Sequence, residues 1–105
     1  MTKYLFDGNV IDYQHFSKAL ENAVYKECDD EKFCEYVDNY YTPYGIEIGD
    51  STFYASDILY KMDKKEYDKQ KEIYFKNQLD SAWDELEQGG FIIVAGIDFE
   101  IQNKE

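Results

Sequence analysis

The side chains able to do acid-base, nucleophilic or metal chemistry are few: one histidine, His15, and two cysteines, Cys28 and Cys34. Histidine chemistry requires a positioned partner, and no carboxylate or nucleophile stands at a diagnostic spacing from His15. A zinc site needs about four ligands. Cys28-x5-Cys34 with His15 offers three at most, without the close CxxC pairing of such sites. The acidic run Cys28-Asp29-Asp30-Glu31 lacks the alternating ligands and turn glycine of a calcium loop. No GxxxxGK, GxGxxG or GxSxG string is present. The expectation is a protein without catalytic residues, metal or cofactor, in which both cysteines serve packing.

What recurs instead is the carboxylate. Glu31, Glu35 and Asp38 fall in one helical row, and Asp80, Asp84 and Glu87 repeat its span of seven residues. Seven residues of helix rise about 10.5 Å, and three steps along one DNA strand rise about 10.2 Å, so carboxylates in such a row can stand in for phosphates. Asp29, Asp30 and Glu85 extend the two clusters. Tyr36, Tyr40, Tyr41 and Tyr44 gather near the first, where exposed tyrosine is a favoured interface anchor. The candidate partner-binding set is therefore Asp29, Asp30, Glu31, Glu35, Asp38, Tyr40, Tyr41, Asp80, Asp84, Glu85 and Glu87. Charge on the outer face of any soluble helix is the plainer account of either row alone.

The whole chain weighs against that plainer account. Its 105 residues carry 23 acids against 11 basic residues, a formal charge of −12. Solubility alone asks for a magnitude of roughly 2 to 8. From Glu21 to Asp38 seven acids face two lysines, and from Asn77 to Asn103 six acids face none. Between them Lys61 to Lys76 is mixed, with local pairs such as Glu72 with Lys76 expected. Every basic residue is lysine. Without the guanidinium fork that reads phosphate and guanine, direct nucleic-acid binding is disfavoured. A hydrophobic content of 44 % with 18 % aromatics excludes a disordered acidic tail. No apolar run long enough to span a membrane and no secretory leader is evident, so a cytoplasmic protein is expected.

The elements that must position these rows follow from periodicity and turn chemistry. Lys3–Phe6, the turn Asp7-Gly8-Asn9 and Val10-Ile11 predict a hairpin. Asp12 then caps a helix to about Lys26 with Phe16, Ala19, Leu20, Ala23 and Val24 on one face. Asp29-Asp30 opens a second helix with Phe33, Val37, Tyr40 and Tyr41 at helical spacing, stopped by Thr42-Pro43-Tyr44-Gly45. A second hairpin turns at Gly49-Asp50, and Ser56 and Asp57 cap a single turn through Met62. Asp63-Lys64-Lys65-Glu66 reads as a capping box for the longest helix, with Tyr67, Tyr74, Phe75, Leu79, Ala82, Trp83 and Leu86 as its apolar stripe. Gly89-Gly90 ends it, and a third hairpin turns at Ala95-Gly96 before a tail, Gln102 to Glu105, expected to fray. The sum is one α+β domain over residues 1–105, a small antiparallel sheet built from hairpins and covered on one face by about three helices.

A small, acidic, tyrosine-rich, arginine-free chain with these carboxylate rows resembles the phage-encoded DNA-mimic inhibitors, the class that includes anti-restriction and anti-CRISPR proteins. The likeness is one of whole-chain composition, with no motif matched residue by residue. It implies an inhibitor in the host bacterial cytoplasm, directed at a basic nucleic-acid-binding protein such as a Cas9-type effector, whose PAM pocket is basic, or a restriction enzyme. Tyr4-Leu5-Phe6-Asp7-Gly8-Asn9 followed by Phe16-Ser17-Lys18-Ala19-Leu20 is similar to the opening of barstar-like nuclease inhibitors, over about the first quarter of the chain. That likeness implies immunity against a basic toxin nuclease. The other class is a non-inhibitory acidic adaptor whose tyrosines make the contact.

Overall fold

Turn chemistry places the strands. In the computed structural model, which describes residues 2–103, all three predicted hairpins form: β1 (Thr2–Phe6) with β2 (Asn9–Ile11), β3 (Ile46–Ile48) with β4 (Ser51–Phe53), and β5 (Phe91–Val94) with β6 (Ile97–Asn103). Asp7 and Gly8 take φ of +52° and +83°, and Ala95 and Gly96 take +52° and +76°. These are the paired left-handed conformations whose twist suits a two-residue hairpin. Alanine at such a position is sterically disfavoured. Its amide is held by a 2.9 Å hydrogen bond donated to the Glu27 carboxylate.

Four helices accompany the strands: α1 (Tyr13–Glu27), α2 (Asp30–Tyr41), α3 (Ala55–Met62) and α4 (Lys64–Gly89). The architecture is α+β, with the described residues forming two compact units. One comprises the chain up to Glu27 together with the chain from Phe75 onward; the other is the continuous stretch Cys28–Tyr74. Helix α4 contributes its first part to the second unit and the remainder to the first.

In the first unit the outer hairpins join into one antiparallel sheet of order β2-β1-β6-β5. The junction is β1 against β6, in register from Thr2↔Asn103 to Phe6↔Phe99. Side chains alternate across such a sheet, and Phe99 and Val94 sit on the face turned to the helices, where both are buried. Phe16 of α1 is at the centre, fully buried, with its ring 5.2 Å from Tyr4, 5.6 Å from Phe99 and 5.8 Å from Trp83. Leu20, Ala23, Val24, Ala82 and Leu86 are also buried in this unit. Val10, Phe91 and Ile93 on the opposite sheet face are exposed, so helices cover one face as expected. Gln102 and Asn103 belong to β6 rather than to a frayed tail; Lys104 and Glu105 lie outside the described residues.

The second unit is built on Phe33, Val37 and Tyr67, with Cys34, Ala55, Leu59 and Tyr74 packed around them. Its hairpin β3-β4 does not join the larger sheet, so two sheets replace the single one expected. Tyr40 and Tyr41 share the helical spacing of Phe33 and Val37 yet are 70 % and 69 % exposed, outside the core. Helix α3 is eight residues long, not one turn, and neither Ser56 nor Asp57 caps it. Its first amides are taken by side chains from the end of α2: Ala55 N–H donates to Thr42 Oγ1 at 3.0 Å and Ser56 N–H to Asp38 Oδ1 at 2.9 Å. Of the expected capping box, Asp63 accepts from Glu66 N–H at 3.2 Å, while the Glu66 carboxylate accepts from Gln70 instead.

Candidate functional site

The two carboxylate rows lie in different surroundings. On α2, Asp29 is the N-cap and accepts from Lys32 N–H at 2.9 Å. Asp30 is ion-paired with Lys71 of α4, and the Lys71 ammonium beside it lowers its pKa. Asp38, expected to project from the core, is half-buried and caps α3. Proximity in sequence cannot reveal this, because the acceptor and its amide stand 18 residues apart. Among the described residues Glu31 and Glu35 alone in this cluster are exposed and without an ionic or hydrogen-bonded partner. The lysine-rich stretch pairs as Lys64 with Asp68 at 2.7 Å and Lys71 with Asp30, not as Glu72 with Lys76.

Tyr36 and Tyr40 stack with ring centres 6.5 Å apart, Tyr36 stacks on Tyr74 at 4.9 Å, and Tyr40 meets Tyr41 edge-on at 4.7 Å. Burial raises the Tyr74 pKa, as it does more strongly that of Tyr67, whose hydroxyl lies 3.4 Å from Cys34 Sγ. Cys34 is thus a packing residue. The second unit also has a small cleft of about 440 Å3 lined by Asp57 and by Asp30, Lys64, Asp68 and Lys71, the last four of which pair with one another.

On α4 the outcome differs. Asp80, Asp84, Glu85 and Glu87 are all exposed, and among the described residues none has an ion pair or hydrogen bond. Three of them, Asp80, Asp84 and Glu87, line an open cleft of about 980 Å3 in the first unit. Its aromatic wall is Tyr4, Tyr13 and Trp83. Tyr13 packs 5.4 Å from Tyr4 and 6.0 Å from Trp83. Helix geometry sets the interleaving, since residues three and four apart are surface neighbours. Trp83 is therefore flanked by Asp80 one turn before it and Glu87 one turn after, while Asp84 neighbours Asp80 and Glu87 and lines the same cleft. Gly90, at φ +78°, donates to the Leu86 carbonyl at 2.8 Å and ends the helix beside the cleft.

By spacing Trp83 falls in the apolar stripe, and nothing in the sequence singles out Tyr13. The available signal was the alternation Asp80, Trp83, Asp84, Glu87, in which a ring interrupts an acidic face. His15 does have a partner: its Nδ1 lies 2.8 Å from the Asp12 carboxylate, which also accepts His15 N–H at 2.8 Å. Those hydrogen bonds lower the Asp12 pKa. The pair is a solvent-exposed helix cap. No cluster of metal-ligating side chains occurs among the described residues, and none of their helices is long and apolar enough to cross a membrane. No protein family, curated relative or solved structure matches the chain.

Proposed function

We propose that this protein is a non-enzymatic inhibitor that imitates nucleic acid and occupies the DNA-binding groove of a basic defence nuclease, either a CRISPR-Cas effector of the Cas9 type or a restriction enzyme. The observation that carries this reading is the row Asp80, Asp84 and Glu87, exposed along one cleft and free of compensating cations among the described residues. Unneutralised carboxylates on a helix repel one another, a cost that a cationic partner removes on binding. The same charge steers a basic groove toward the protein and makes competition with DNA the mechanism. An immunity inhibitor of a toxin nuclease would use the row identically; β1, its turn and α1, which carry that likeness, span only the beginning of the chain.

A DNA-binding competition assay with purified nucleases of these classes tests the proposal. The protein should displace target DNA, excess DNA should reverse the inhibition, and Asp80→Asn/Asp84→Asn/Glu87→Gln should weaken it. Inhibition insensitive to DNA concentration, or unaltered in that variant, refutes mimicry by α4. The adaptor reading is favoured by one observation, the exposed stack of Tyr36, Tyr40 and Tyr41. Salt separates the two, since mimicry weakens steeply with ionic strength and tyrosine-led contact does not.

A further inference from the structure

We infer that the cleft beside α4 is a receptor for arginine side chains of the partner, distinguishing guanidinium from ammonium. This rests on the proposed function and sharpens it by naming the group captured. Three carboxylates would attract any cation, but they share the cleft with the rings of Tyr4, Tyr13 and Trp83. A planar, weakly hydrated guanidinium can stack on an aromatic face while its edge donates to carboxylates; a lysine ammonium is a compact, strongly hydrated point charge. Tryptophan gives the strongest cation-π contact, more often with arginine. Trp83 has Asp80 and Glu87 as its helix-surface neighbours, and Asp84 lines the same cleft, so the ring and the carboxylate acceptors border one opening.

The occupant is a different chain. This protein contains no arginine and has no lysine between Asn77 and Asn103, so a second copy could not supply the group. At about 980 Å3, the opening exceeds one side chain and suits an extended arginine-bearing segment.

Trp83 is the sole tryptophan, so the full chain reports on this cleft through its own fluorescence. Titration with hexa-arginine should change the indole emission and give affinity at least about fivefold tighter than hexa-lysine of equal charge. Asp84→Asn/Glu87→Gln should weaken the arginine peptide by roughly tenfold with unchanged circular dichroism. Tyr13→Leu, which leaves every carboxylate in place, should narrow the preference between the peptides. Equal affinities, or saturable binding without an indole response, overturn the assignment. Arginine capture by a protein that fails to compete with DNA for any nuclease retires the inhibitor reading alone. Competition with no indole response retires the arginine assignment alone.

Discussion

Two helices carry acids with the same spacing and put them to different uses. On α2, Asp29 caps its own helix, Asp30 is paired with Lys71 and Asp38 caps α3, leaving Glu31 and Glu35. On α4, Asp80, Asp84 and Glu87 make no ion pair or hydrogen bond among the described residues and border an aromatic cleft. The comparison teaches that spacing identifies a charged face, while hydrogen bonding decides whether its carboxylates are available to a partner. A carboxylate that already satisfies a backbone amide cannot leave it for a guanidinium without exposing an orphaned donor.

The contrast breaks most readily at binding. Asp80→Asn/Asp84→Asn/Glu87→Gln should lower affinity for a basic nucleic-acid-binding partner on the order of a hundredfold, against about tenfold or less for Glu31→Gln/Glu35→Gln. Calorimetric titration of both variants against one target would show it, and equal losses would erase the distinction. Stability should divide in the opposite sense. Asp38→Ala leaves the Ser56 amide without its acceptor and should cost about 1–2 kcal/mol, with faster hydrogen exchange along α3. Asp84→Ala should stay within about 0.5 kcal/mol. Denaturant melts of the pair would reverse this account if Asp84 proved the costlier loss.

Alkaline titration sharpens the contrast further. Burial raises Tyr67 and Tyr74 above the ordinary value of 10.0. Their contribution to stability is fully present below that pH and is lost as pH rises toward the folded-state values, because the unfolded chain ionises first. Loss of tertiary structure should therefore begin in the second unit above about pH 10, followed by tyrosinate absorbance together with hydrogen-bond-sensitive amide signals. Protection lost first around Phe16 would contradict it. The smallest effect belongs to Lys71→Ala. Its partner Asp30 is 73 % exposed, so the pair should contribute under about 1 kcal/mol, diminishing in salt. Asp30 works in the acid direction: its lowered pKa supports the fold above the usual carboxylate value, and that support disappears as pH falls through the lowered one.

Hairpins and helix limits were legible because their signals are local. Asp7-Gly8, Gly49-Asp50 and Ala95-Gly96 each turn a strand back, and the Asp12, Asp29 and Asp63 carboxylates each accept from an amide three residues on. What stayed hidden depends on distant partners. Nothing beside Asp38 announces an acceptor for Ser56 N–H, nothing beside Asp30 announces Lys71 across 41 residues, and nothing in β3 and β4 says that this hairpin stays apart. The α4 row was legible as spacing, whereas its aromatic wall was not, because Tyr4 comes from β1 and Tyr13 from α1.

The pairing of β1 with β6 also sets an order of events during synthesis. Thr2 is hydrogen-bonded in register with Asn103, so the larger sheet cannot close until β6 has left the ribosome, and its loop-closure entropy is high. The stretch Cys28–Tyr74 carries its own core of Phe33, Val37 and Tyr67, on elements that follow one another in the chain. That core can gather on the nascent chain before β6 is made, whereas the cleft on α4, lined by Tyr4 of β1 and Ile101 of β6, needs those two strands together.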